Sequence, residues 1–352
     1  MKQRAPSSPT LDEASCVYGA GVLLKHIQAL REETAGVQAG SEDIEFIHRA
    51  RVASRRLRAA LPLFQSCLPP KKSAGWMKEI RQVTRALGEA RDADVQIERM
   101  EKYIKKLENL PLADATRCRP GLMRLRLRLR QKRQRLQAPV SEAMQRLAES
   151  QVLDEMAERL QAQADRAKEI YIYTPVLYGH SFNAIHTRLE DFLAYEPIVE
   201  QPEKVEELHE MRIAAKWLRY TLEAFAPLYS SHFKPHLQAV KQAQETLGDI
   251  HDCDVWTTFI PTFLEEERQR TLEYMGHTRP VKRFIYGIQS FEQDRRRARE
   301  EQYQQFVSDW RKWREAAIWQ DLQKTIQVPF LQIDQIYPPK LEDHSTSGSA
   351  GS

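Results

Sequence analysis

Glycine, long apolar runs and closely spaced cysteines are all scarce in this sequence. Only 13 of its 352 residues are glycine, while 41% are hydrophobic and 29% charged. That mix suits amphipathic helices with wet outer faces. No apolar stretch approaches the ~20 residues a membrane helix needs, and the longest early one, Gly19 to Leu24, is far shorter. Met1 to Thr10 holds no apolar signal core, so a soluble, cytoplasmic protein with no membrane partner is expected. Cys16, Cys67, Cys118 and Cys253 stand far apart with no C-x-x-C pair. No zinc site of ordinary spacing is present, and free thiols in a reducing compartment are expected. Acid is missing from two long stretches. Ile47 to Ser73 contains no Asp or Glu, and neither does Ala115 to Ser141, where nine Arg and Lys stand.

The overall formal charge of +4 hides an imbalance. Residues 1–160 carry 30 Lys and Arg against 20 Asp and Glu, whereas residues 161–352 carry 23 against 29. Such a separation points to a polyanionic partner for the first half.

Self-similarity organises the chain. The run Ile47-His48-Arg49-Ala50-Arg51-Val52-Ala53-Ser54-Arg55-Arg56-Leu57-Arg58 returns as Leu208-His209-Glu210-Met211-Arg212-Ile213-Ala214-Ala215-Lys216-Trp217-Leu218-Arg219. Extended to Phe64 and Phe225, seven of 18 positions are identical. Leu87-Gly88-Glu89-Ala90-Arg91-Asp92-Ala93-Asp94-Val95 likewise returns as Leu247-Gly248-Asp249-Ile250-His251-Asp252-Cys253-Asp254-Val255, at an offset of 160 residues. Weaker echoes are Tyr18-Gly19 with Tyr178-Gly179, and Arg119-Pro120 with Arg279-Pro280. The chain is therefore two copies of one unit. The copies are expected over 12–160 and 170–335, with a disordered Ser/Gly-rich tail over 341–352.

Each copy reads as a series of helices. In the first they run over about 12–35, 43–67, 73–87, 92–109 and 121–160, broken at Gly36 to Gly40, Leu68-Pro69-Pro70, Gly88, and Leu110 to Gly121. The second gives about 176–195, 204–229, 233–247, 252–275 and 281–319. Leu125 to Arg130 alternates with the strand period, but Leu122, Leu125, Leu129 and Leu136 also share one helical face. Leu and Arg are strong helix formers, so a helix is expected there too.

His48, Arg51, Arg55 and Arg58 recur at i, i+3, i+7 and i+10, which gathers them on one helical face. Ala50, Ala53, Leu57, Leu61 and Phe64 form a packing face behind them, and His209, Arg212, Lys216 and Arg219 repeat the stripe. A solvated face normally interleaves acids to relieve repulsion, and here none are near in sequence. The next helix adds Lys78, Arg81 and Arg85, of which the second copy retains Lys241. By contrast, Arg99 and Lys106 read as balanced by Glu98, Glu101 and Glu108.

H-x-x-R-[VI]-x-x-[RK]-x-L-R, followed about 40 residues on by L-G-x-x-x-D-x-D-V and all repeated, resembles the CHAD domain, the conserved-histidine α-helical domain. The resemblance covers about residues 12–320. It implies an all-α fold of two pseudo-symmetric bundles flanking one basic groove that holds inorganic polyphosphate. It implies a binding module with no cofactor and no catalytic role, cytoplasmic, with polyphosphate granules as one setting. No E-x-E-x-K signature of the triphosphate-tunnel domain often fused to this family is present, so a stand-alone module is expected. Carried over by position, His48, Arg51, Arg55, Arg56 and Arg58 match the first motif, and His209, Arg212, Lys216 and Arg219 the second. His48 and His209 are expected to face the same groove. Trp217 departs from the usual basic residue. Lys78, Arg81, Arg85, Arg124, Arg128, Lys241, Lys282 and Arg283 complete the candidate contacts.

Three rivals compete with this reading. RNA or another nucleic acid could use the same basic surface, but the 47–64 stripe has one aromatic residue, Phe64, and 115–141 has none. His251-Asp252-Cys253-Asp254 suggests a metal-dependent phosphohydrolase, but Arg91 replaces His251 in the sister copy. Phosphohistidine chemistry at His48 or His209 lacks a neighbouring carboxylate to orient the imidazole.

Overall fold

Apolar residues at helical spacing run through the α-helices of the computed structural model, which describes residues 11–38, 44–109 and 111–336. Among these residues there is no strand, and the fold is all-α. Helices α1 (Glu13–Gln38), α2 (Ile44–Leu63), α3 (Pro70–Lys106), α4 (Leu112–Arg135), α5 (Gln137–Glu149) and α6 (Val152–Asp165) belong to the first copy. Helices α7 (Pro175–Leu193), α8 (Val205–Tyr229), α9 (Lys234–Met275), α10 (Lys282–Glu315) and α11 (Ile318–Ile336) belong to the second. The segment 341–352 lies outside the described residues. No described helix is long and apolar enough to cross a membrane.

Local chemistry sets several ends. Thr174 caps α7 by accepting from the Leu177 amide at 3.3 Å, with Pro175 in the first turn. Gly276 closes α9 at φ 72°, a left-handed cap that suits glycine. The alternating segment is helical: Leu122, Leu125 and Leu129 are buried while Leu127 is 45% exposed.

Some expected breaks are absent. Gly88 and Gly248 lie inside α3 and α9, which run through without interruption. A helical glycine costs about 1 kcal/mol, and burial of Leu87, Ala90 and Ala93, or of Leu247, Ile250 and Cys253, on either side offsets it. Pro120 and Gly121 likewise lie inside α4. The expected 121–160 helix divides near Leu136 and Gln151, and the 281–319 helix ends at Glu315, before Ala317. Gln151 and Ala317 take positive φ with no glycine to signal it.

The copies meet in two places. At the first, α2 packs on α8, with the Phe64 and Phe225 rings 5.7 Å apart. The Tyr18 hydroxyl donates to the Ala224 carbonyl at 2.8 Å, and His180 Nε2 donates to the Leu63 carbonyl at 2.8 Å. Leu63 and Ala224 are equivalent positions, so each copy grips the other's helix end. Gly19 makes room there, since a Cβ would stand 2.4 Å from the Phe64 ring. At the second, α4 crosses α10 so closely that a Cβ on Gly121 would meet the Phe284 carbonyl at 2.1 Å. One on Gly287 would meet the Cys118 carbonyl at 1.9 Å. This reciprocity pairs Gly121 with Gly287, six residues out of step with the Arg119-Pro120 and Arg279-Pro280 echo. Arg119-Pro120 sits inside α4, whereas Arg279-Pro280 lies in the turn before α10.

Met100, Tyr103, Leu122 and Leu125 of the first copy bury against Trp256, Phe263, Ile288 and Phe291 of the second, so this core belongs to neither alone. The thiol expectation is half corrected. Cys16 and Cys67 form a disulfide, with Cα atoms 5.3 Å apart, while Cys118 and Cys253 are free and buried. Packing of α1 on α2 brings together two residues that are 51 apart in sequence.

Candidate anion-binding site

The packing of α2 on α8 brings the two basic stripes together. Lys216 reports the convergence: burial and then Arg55, Arg212, Arg58 and Arg51 push its ammonium down to about 8. Arg55 extends over the Tyr220 ring at 5.7 Å. Among the described residues, Arg55, Arg58, Arg212 and Lys216 have no carboxylate in ion-pair contact. All four are partly buried.

Other stripe residues are already ion-paired. Arg51 donates to Asp92 at 2.9 Å. Arg56 and Arg219, one from each copy, both donate to Glu223 at 2.9 Å. Position 62, equivalent to Glu223, is proline, which leaves Arg58 without the acid that Arg219 has.

Beside this cluster a cleft of about 590 Å³ opens between the copies, lined by Arg51, Arg55, Arg212, Asp92, Asp252 and His251 among others. The repeated L-G-x-x-x-D-x-D-V motif builds its wall. A Cβ on Gly88 would come within 3.9 Å of Arg51 Nε, and one on Gly248 within 4.0 Å of Arg212 Cδ, so each arginine lies along bare helix backbone. The first aspartate of each motif, Asp92 or Asp252, faces the cleft. The second is an anchor: Asp94 accepts from Arg133 of α4 at 2.7 Å, and Asp254 from Arg299 of α10 at 2.5 Å.

His48 and His209, expected to face one groove, are not among the residues lining this cleft, although His251 and Val255 border both the cleft and the cavity of His209. His48 lines a separate cavity of about 550 Å³ with His26, Arg56 and Glu223. Burial, then the neighbouring Arg91, lowers its pKa and favours the neutral ring, and its buried Nδ1 has no partner. His209 lines a third cavity of about 610 Å³, and its Nδ1 stands 3.0 Å from Nδ1 of His251. Burial and Arg212 push His251 down to about 4. Each histidine precedes by three residues the arginine that reaches the cleft, which turns it about 60° to one side along the helix.

The remaining candidates fall elsewhere. Lys78, Arg81 and Arg85 are exposed along α3, with Arg85 held by Glu89 at 3.2 Å. Lys241 stands 3.9 Å from Glu245. Arg124 and Arg128 clamp Glu267 of α9, at 2.5 and 2.6 Å, and Arg270 joins them at 2.8 Å. Burial pushes the Glu267 carboxyl up, but these three hydrogen bonds outweigh it and hold it ionised. Lys282 and Arg283 open α10 on the exposed surface, beside the crossing with Gly121. Gly121 lies about 18 Å along α4 from Arg133, taking 1.5 Å per residue. Of the nine cations in the acid-free run 115–141, four are paired with acids from other helices: Arg124 and Arg128 with Glu267, Arg130 with Glu101 and Arg133 with Asp94.

Some contributors gave no sequence signal. Arg99 is not balanced locally but bridges to Asp249 at 2.6 Å and Asp252 at 3.2 Å, in the other copy. Gln96 and Gln244 line the cleft, and each buries an Oε1 with no partner. The His251 to Asp254 cluster disperses: His251 turns to His209, Asp252 to Arg99 and Asp254 to Arg299, while Cys253 is buried. Its four side chains do not converge on one point.

The CHAD domain family model matches residues 21–261 of this chain. Among solved structures, PptA from Streptomyces chartreusis is similar with a TM-score of 0.59. It is 19% identical and covers 86% of this chain and 100% of its own. The CHAD domain from the plant Ricinus communis is similar with a TM-score of 0.52. It is 20% identical and covers 94% of this chain and 96% of its own. At such identities the likeness concerns the fold. No curated protein matches.

Proposed function

This chain belongs to the CHAD domain family, and on that premise we propose that it binds inorganic polyphosphate along the cation cluster and the adjoining cleft between its two copies, as a binding protein and not an enzyme. One observation carries the reading. Arg55, Arg58, Arg212 and Lys216, from two helices of different copies, converge with no carboxylate in contact among the described residues. Clustered like charges with reduced solvation are unfavourable until an anion joins them. Polyphosphate is a flexible strand with about one negative charge per phosphate and no bases to read, so charge and hydrogen bonding alone must recognise it. Arg supplies forked donors to phosphate oxygens, and Lys a point charge. His48 and His209, the nucleophile candidates, do not line the cleft, which favours holding the anion over turning it over. Polyphosphate granules are the cellular setting this reading proposes.

Nucleic acid is the second reading, because aromatic rings do flank the cluster. Besides Tyr220 under Arg55, Trp217 has Arg188 and Lys216 each 5.6 Å from its ring. Those rings already engage cations, which favours phosphate without base. Isothermal titration with size-fractionated polyphosphate, with RNA as competitor, tests the choice. Polyphosphate should bind and resist equal phosphate concentrations of RNA. Full displacement by RNA would overturn the preference.

A further inference from the structure

The two aspartates that face the cleft are equivalent in sequence but not in partner. Asp252 is held by Arg99 at 3.2 Å, and the same guanidinium holds Asp249 at 2.6 Å. Arg212 therefore remains unpaired, with a buried Nε that has no hydrogen-bond partner. The residue that could hold Asp92 in this way is missing from the second copy, where the position equivalent to Arg99 is Phe259. Asp92 turns instead to Arg51 at 2.9 Å, with its side chain 68% exposed. One arginine of the pair is thus open, and the other is occupied by a carboxylate that any phosphate would have to displace.

We propose that Asp92 is an internal competitor for the cleft, a specificity-determining residue that weakens its hold on long polyphosphate chains and leaves short ones unaffected. This rests on the polyphosphate reading above. Arg55, Arg58, Arg212 and Lys216 are open, and a three-phosphate chain has enough oxygens to satisfy them. Arg51 lies about 6 Å before Arg55 along α2, four residues at 1.5 Å each. A longer chain must pass it, and so must displace Asp92. Exposure keeps the Arg51–Asp92 pair weak, since such ion pairs contribute little in water. The competitor therefore attenuates binding without blocking it.

The test compares the parent with Asp92→Asn, which removes the charge and keeps the shape, and with Glu89→Gln, which removes an exposed charge from the same helix. Titration uses sodium tripolyphosphate and long-chain polyphosphate at several salt concentrations, with dichroism confirming each fold. Asp92→Asn should bind long chains roughly 3- to 10-fold more tightly, tripolyphosphate within about 2-fold of the parent, and Glu89→Gln should change neither. The salt dependence of Asp92→Asn with long chains should also steepen, because no freed carboxylate recaptures a counterion that the polyanion releases. Should Asp92 merely position Arg51, Asp92→Asn would bind long chains equally or more weakly, with no steeper salt dependence, and the inference fails alone. A parent that binds no polyphosphate would defeat the functional reading itself.

Discussion

The two copies carry the same motif and neutralise it differently. In the first, Arg51 is paired with Asp92 and Arg58 is open; in the second, Arg212 is open and Arg219 is paired with Glu223. His48 faces Arg91 where His209 faces His251. The difference teaches that the charge available to a ligand is set by acids arriving from other helices, not by the local sequence. The positive excess of the first half is partly spent inside the fold. Glu267, Glu223, Asp249 and Asp252, all from the acidic second half, hold Arg124, Arg128, Arg56 and Arg99 of the first. What looks in sequence like one surface for a polyanion is in part an electrostatic seam joining the copies.

The largest expected effect breaks that seam. Glu267 has a side chain 1% exposed amid three arginines, and Glu267→Ala strands those charges. Removing one partner of a buried pair typically costs about 3–5 kcal/mol, so thermal unfolding should fall by roughly 5 °C or more. Polyphosphate affinity at 15 °C should hold within about 2-fold. A melting temperature that does not move would mean the first half's excess is simply solvated.

Next comes the contrast between equivalent arginines. Arg212→Ala removes an open cation and should weaken polyphosphate binding about 10-fold, since a charge-assisted contact is worth roughly 1.5–3 kcal/mol. Arg51→Ala also releases Asp92 and should cost about 3-fold in titration. Equal losses would erase the distinction between the copies.

Lys216 makes the comparison pH-dependent. Its pKa is depressed to about 8 in the free protein, and a bound polyanion raises it. Binding should therefore take up protons above pH 8, and affinity should be highest below that pH and decline as pH rises through it. Titration in buffers of different ionisation enthalpy measures the uptake, and Lys216→Met should abolish most of it. Uptake that survives in Lys216→Met would assign the proton elsewhere.

The smallest effect concerns the histidines. Because both stand outside the cleft, His48→Gln and His209→Gln should each change polyphosphate affinity by less than about 2-fold. A tenfold loss from either would return it to the binding surface.

Much of the fold and part of the site are legible in the sequence. The doubled H-x-x-R motif fixes two equivalent helices, and its spacing places Arg51, Arg55, Arg212 and Lys216 on faces that meet. Gly88 and Gly248 mislead because low helix propensity is overridden by the apolar residues packed on both sides of them. Arg99, Arg124 and Arg128 mislead for another reason: their acids lie 139 to 153 residues away, beyond any local pattern. The bond between Cys16 and Cys67 is hidden in the same way, by a contact that only the α1–α2 packing creates. The histidines illustrate a limit of helical faces, since a face some 80° wide can border two cavities at once.

The central claim is that open cations, and not total charge, hold the polyanion. Titration of long-chain polyphosphate into Arg55→Gln/Lys216→Gln removes two open charges. Lys102→Gln/Arg296→Gln removes two charges already paired with Glu98 and Glu292 on exposed helix faces. With dichroism showing both variants folded, the first pair should lose at least about 10-fold in affinity and the second less than about 2-fold. Equal losses from the two pairs would contradict the account, because binding would then follow net charge alone.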